Sequence, residues 1–144
     1  MDDLMAKLKA YDWGGDRGAL MGIDASIVAA HGNTEKLAEI EHALLEVLQS
    51  EAPIPAKEYS CRQLALIGTD RCVPVLAAML PDTELSDRAR LALEAIPTAV
   101  ADEALRAALD KVEGDKRAGI VNSLDERKKR LVTSTEQHDA NEIK

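Results

Sequence analysis

Two stretches of the chain, SCRQLALIGT at 60–69 and ARLALEAIPT at 89–98, carry one pattern of apolar and turn residues at an offset of 29. Ser60 matches Ala89, Leu64 matches Leu93, Ile67 matches Ile96 and Thr69 matches Thr98. The phase holds into the following helix, where Leu76 matches Leu105, Ala78 matches Ala107 and Leu80 matches Leu109. A shift of 28 then carries Leu93 to Val121 and Ile96 to Leu124. Self-similarity that spans two helices and their turn implies stacked units, each burying its apolar faces only when neighbours cover it.

The helices themselves follow from spacing. In NTEKLAEIEHALLEVLQS (33–50), Leu37, Ile40, Leu44, Val47 and Leu48 recur at three and four, with charges between them. This predicts an amphipathic helix capped by Asn33 or Thr34 and ended by the prolines of APIP at 52–55. A second helix is expected over about 56–67, with Ser60, Leu64 and Ile67 inward and Gly68 in a left-handed C-terminal conformation. The next unit places Val73, Leu76, Ala77 and Leu80 on one face, with Pro74 near the first turn. After the turn PDT, Leu85, Ala89, Ala92, Leu93 and Ile96 form a stripe that Pro97 ends. A third helix presents Val100 through Val112, Gly114 stops it, and DKRAGIVNSL is its shorter partner. Upstream, 16–32 carries Leu20, Ile23, Ile27 and Val28 on one face, with a helix over 2–11 before it.

The palette suits close helix packing. Of 144 residues, 46% are hydrophobic but only 2% aromatic, with 23 Ala, 18 Leu and no Phe. Such a composition favours helix over strand, and alanines let adjacent layers approach without bulky rings. A net charge of −8 repels phosphate backbones and anionic membrane surfaces, so nucleic acid and membrane are not expected as partners. No apolar run approaches the roughly 18–20 residues of a membrane span, and MDDLMAKLKAYDW has no signal-type apolar core. A cytoplasmic protein is expected, although a piece of an exported protein would read the same.

The segment VPVLAAMLPDTELSDRARLALEAIP, residues 73–97, resembles the HEAT repeat superfamily, particularly the short HEAT-like repeats of phycobilisome-lyase type found in bacterial proteins. The matching features are Val73-Pro74 and Leu76 on the first helix, Asp82 in the turn, and Ala92-Leu93 and Ile96 closing the second. CRQLALIG matches the end of the preceding repeat, and VNSLD resembles a worn copy. Pro97 and Asp125 stand where Gly is common, and no arginine linking turn to helix stands out. The resemblance implies an all-α, right-handed α-α superhelix, or solenoid, of antiparallel helix pairs over 1–126. Its repeats would fall at about 1–32, 33–68, 69–97 and 98–125, followed by a polar, frayed tail at 127–144. The function it implies is a non-catalytic protein-interaction or scaffold module that takes a protein or peptide on its concave face. The alternative is a lyase-chaperone type of protein holding a small molecule in that groove.

Second helices line the concave surface of HEAT-like stacks, and Tyr59, Arg88 and Lys116 occupy matched positions early in successive second helices. With Arg62 and Arg90 they would form a polar, partly basic ladder suited to an acidic or phosphorylated peptide. The competing reading is a solvated face with local pairs such as Asp87 to Arg90. Catalytic, cofactor-binding and metal-ligating residues are not expected. GGDRGALMG (14–22) lacks the preceding strand and following Lys of a phosphate loop, and Asp16 reads as a cap. Cys61 and Cys72 suit the core, and His31, His42 and His138 show no ligand spacing. Glu35, Glu39 and Glu46 recur on a solvated helix face. Trp13 is expected to cover the exposed end of the stack, with a partner anchor as the other role.

Overall fold

The computed structural model describes the backbone of residues 1–143 and the side chains of residues 1–130. Eight α-helices follow one another with no strand among the described residues: α1 (Asp2–Lys9), α2 (Gly18–Ala29), α3 (Thr34–Leu48), α4 (Ile54–Ile67), α5 (Val73–Ala78), α6 (Ser86–Ala95), α7 (Ala99–Ala108) and α8 (Gly114–Ile143). The chain is thus all-α.

Local chemistry explains most boundaries. The Asn33 side chain accepts the Lys36 N–H at 3.1 Å, which caps α3. Pro55 lies in the first turn of α4 and Pro74 in that of α5, where a missing N–H costs least. A short 3-10 turn, Asp70–Cys72, leads into α5. Asp82 Oδ1 accepts the N–H groups of Glu84 and Leu85, both at 2.8 Å, and so organises the turn before α6.

Gly68 departs from expectation. Its φ of −63° and ψ of 147° are extended rather than left-handed. A Cβ there would lie 2.4 Å from the Leu64 carbonyl oxygen and 2.8 Å from Cys72 Sγ. The position needs glycine because two segments of backbone and core meet across it. Left-handed backbone occurs instead at Gly14 (φ 78°), Gly32 (φ 83°) and Gly114 (φ 63°). Gly114 is not the stop expected of the preceding helix: α7 already ends at Ala108, and Gly114 opens α8.

Consecutive helices pack as pairs: α1 with α2, α3 with α4, α5 with α6, α7 with α8. Among second members, α4 packs on α6 and α6 on α8; among first members, α1 meets α3 and α5 meets α7. One continuous core runs between the two rows. Leu64 and its match Leu93, and Leu76 and its match Leu105, are all fully buried, as the 29-residue phase requires. The phase breaks in the last unit: Ile120, not Val121, is buried, and Val121 is exposed. The inward stripe of α8 is Ile120, Ser123 and Arg127, so two of its three core positions are polar. Trp13 is 73% exposed in the turn between α1 and α2, and covers no helix end.

Arg127 falls in the run expected to open a solvated tail, yet it is buried. Its Nη1 faces the carbonyls of Leu93 (3.0 Å), Glu94 (3.1 Å) and Ile96, and Nη2 donates to the Thr98 carbonyl at 2.8 Å. These include the carbonyls a helix end leaves unpaired, so α8 closes the C-terminus of α6 and the turn into α7. Nε lies 3.5 Å from Asp102 Oδ1. The rest of the tail's side chains, beyond Arg130, lie outside the described residues.

Two consequences are measurable. Gly68→Ala should lower stability by about 1–3 kcal/mol through overpacking, seen as a reduced urea midpoint with unchanged helical content. Arg127→Met should cost about 3 kcal/mol or more, because several buried carbonyls lose their donor and Asp102 loses one of its two cationic neighbours; Arg127→Lys, lacking the planar fork, should recover only part. The hydrogen bond from Arg106 at 2.8 Å, then the charges of Arg106 and Arg127, hold the Asp102 carboxyl below its ordinary 3.8, partly opposed by burial. A depressed native pKa contributes stability that is complete above that ordinary value and lost as pH falls through the depressed one. The difference in Tm between the parent chain and Asp102→Asn should therefore narrow as pH drops from about 5 toward 2.

Candidate partner-binding face

The five residues of the expected ladder divide into two groups. Tyr59 does not face outward: it is buried on the flank of α4 that meets α2. Its hydroxyl lies 2.6 Å from Asp24 Oδ1 and 3.1 Å from the Leu20 carbonyl, both on α2. Burial, and then the hydrogen bond to Asp24, raise its pKa well above the ordinary 10.0. Arg90 crosses from α6 to α8, donating to Ser123 Oγ at 2.9 Å and reaching the Gly119 carbonyl at 3.4 Å; it also pairs with Asp87 at 3.6 Å, as the spacing predicted. A Cβ on Gly119 would lie 2.8 Å from Arg90 Nε, so the missing side chain makes room for the guanidinium. Lys116 Nζ donates to the Pro81 carbonyl at 3.1 Å. These three side chains join neighbouring elements. Arg62 and Arg88 remain exposed, with no hydrogen bond or ion pair to the described residues.

Sequence reasoning missed the apolar part of this face. Seven large apolar side chains are prominently exposed among the described residues, and five of them, Met21, Val28, Leu66, Leu91 and Val121, lie on the second helices α2, α4, α6 and α8. Three are more open than the rest of the set save Trp13: Met21 at 70%, Leu66 at 75% and Val28 at 76%. They cluster. A cleft of about 430 Å³ between α2 and α4 is lined by Arg17, Met21, Asp24, Tyr59, Arg62 and Leu66 among others. A second, of about 580 Å³, is lined by Val28, His31, Leu66, Ile67 and Pro97 among others. Leu66 lines both, and the two clefts follow one another along α2, from Arg17 to Asp24 and from Ile27 to His31, as two halves of a trough. Val28, expected on one face with Leu20, Ile23 and Ile27, is instead exposed, because it lies at the margin of that stripe, seven positions from Met21 and on the same side of α2.

A third cleft, of about 490 Å³, lies between α3 and the turn at 67–71. Its wall holds Glu41, a carboxylate that is fully buried and accepts the Thr69 hydroxyl at 2.9 Å and the Thr69 N–H at 2.5 Å. Glu41 stands on the ridge Leu37, Glu41, Leu44, Leu48, which is how an inward acid reads in a sequence. With both oxygens engaged at the start of the Asp70–Cys72 turn, it anchors α3 to the next unit.

Cys61 and Cys72 are free and buried. Burial pushes both thiols up to about 12, with Glu41 adding to the effect on Cys72. A thiol protonated at neutral pH is a poor nucleophile. No helix among the described residues is long and apolar enough to cross a membrane. Comparison with protein-family models, curated proteins and solved structures finds no match to this chain.

Both cysteines should therefore resist alkylation by iodoacetamide at pH 8 in the native chain and react fully in 6 M guanidinium chloride. Labelling at intermediate denaturant should follow the unfolding curve measured by circular dichroism.

Proposed function

We propose that this chain is a non-catalytic protein-binding module of the HEAT-like solenoid type, taking its partner on the outer face of its second helices. The observation that carries the reading is the concentration of exposed apolar side chains on α2, α4, α6 and α8 beside exposed arginines. A patch of open apolar residues rimmed by charge is the usual mark of an interaction site. Met21, Leu66 and Leu91 supply the apolar contacts, and Arg17, Arg62 and Arg88 the polar rim. Tyr59, Arg90 and Lys116 support that face from behind by holding its helices in register. The right-handed superhelix belongs to this reading too: paired helices in two rows, with second helices side by side, are the arrangement such a solenoid needs. The protonated, buried thiols favour binding over covalent chemistry.

Site-specific photo-crosslinking tests it. A benzoylphenylalanine at Leu66 or Leu91 should capture protein adducts in the native host, and one at Glu103, exposed on α7, should not. Equal capture from both faces, or capture from Glu103 alone, would sink the proposal.

A further inference from the structure

We infer that the trough between α2 and α4 takes a short amphipathic helix from a partner protein, acidic at one end and apolar along the rest. The inference rests on the protein-binding reading above and specifies its ligand.

The length fits a helix. The α2 residues that line the two clefts run from Leu20 to Val28 on a helix of 12 residues, about 18 Å long, which matches three turns of a second helix laid alongside. Met21 and Val28 are seven positions apart on α2, with Leu66 of α4 shared by the two clefts between them. A groove of this kind reads anchors at i, i+3 or i+4, and i+7 on its ligand. Met21 adds a side chain flexible enough to accept different anchors.

Charge sets the polarity. Arg17 and Arg62 both line the Met21 end, and neither guanidinium has a hydrogen bond or ion pair to the described residues. Asp24, the carboxylate lining that cleft, already accepts the Tyr59 hydroxyl at 2.6 Å. The lining at that end thus carries two guanidiniums against one carboxylate, a local excess of one positive charge on a chain whose net charge is −8. Phosphate polymers are repelled by that overall charge before they reach two arginines. The most acidic helix face of a second copy, on α3, is a poor occupant because it has no exposed large apolar side chain, and Val100 of α7 and Val121 of α8 are each a single apolar residue, short of the spaced anchors the trough would read. Acid and apolar groups on one short helix satisfy both ends.

A display library of 16-residue helical peptides, randomised on one face, is selected against the purified chain and counter-selected against the Met21→Glu/Leu66→Glu double variant. Circular dichroism and Tm confirm that the variants are folded. The expected clones carry large apolar residues at helical spacing and two or more Asp or Glu at one end. Their affinity should fall at least tenfold in Arg17→Glu/Arg62→Glu, and return in that variant when the peptide's acids become Lys. Clones that need Met21 and Leu66 but are neutral or basic, or indifferent to Arg17→Glu/Arg62→Glu, overturn this inference and leave the protein-binding reading standing. If no clone survives the counter-selection, both fail.

Discussion

The guanidinium of Arg127, buried under the end of α6, joins more of the chain than any other side chain described. It reaches the carbonyls of Leu93, Glu94, Ile96 and Thr98 and lies beside the Asp102 carboxylate, so α6, α7 and α8 meet at one cation. A helix C-terminus presents unpaired carbonyls and a partial negative charge, and a fixed planar fork of donors answers both. Arg130, at 3.1 Å from the Glu94 carbonyl, adds a second donor at the same end. One unit earlier the complementary device operates. There the Glu41 carboxylate receives the Thr69 hydroxyl and N–H where the chain turns into α5. Successive junctions are thus closed by buried charges of opposite sign, each matched to the backbone groups that face it.

This way of joining the units is consistent with a core of small and aliphatic side chains. Alanines at Ala56, Ala89, Ala92 and Ala101 are fully or almost fully buried, which lets neighbouring helices approach closely. Close approach leaves little room for large rings between layers, and the chain has no Phe. Orientation then falls to directional contacts at the turns and flanks. Tyr59 ties α4 to α2, Arg90 ties α6 to α8, and Lys116 ties α8 to the turn after α5. The residues that looked like an exposed ladder are therefore mostly used within the molecule. Of that ladder only Arg62 and Arg88 remain outward on the second helices, beside exposed Met, Leu and Val and scattered aspartates, and the binding proposal starts from the arginine–apolar combination.

Much of the helical order was legible in advance, and the reason is local. The 3.6-residue period, Asn33 as a cap, Pro55 and Pro74 in first turns and Asp82 before α6 all act within four residues of themselves. The same locality explains the errors. Gly68 was read as a left-handed cap because Gly commonly ends helices that way; its true constraint, contact with Cys72 Sγ across the turn, involves side-chain placement that no pattern encodes. Trp13 was assigned to the end of the stack because terminal units need covering, yet the turn holding it projects into solvent.

The sequence by itself determined an all-helical chain, the order and approximate ends of its helices, and the buried phase of Leu64, Leu76, Leu93 and Leu105, because each depends on neighbours three or four positions away. Tertiary structure alone decided which partners the inward polar residues meet. Glu41, Ser123 and Arg127 occupy inward positions that a hydrophobic pattern skips, and their partners stand 28 to 34 positions distant. For that reason the last unit looked worn and its register was misplaced by one, from Ile120 to Val121. The trough between α2 and α4 has the same origin. Tyr59 reaches 35 positions back to Asp24, and both line the cleft beside Met21 and Leu66, so the spacing of its two walls is set by a contact no local pattern encodes.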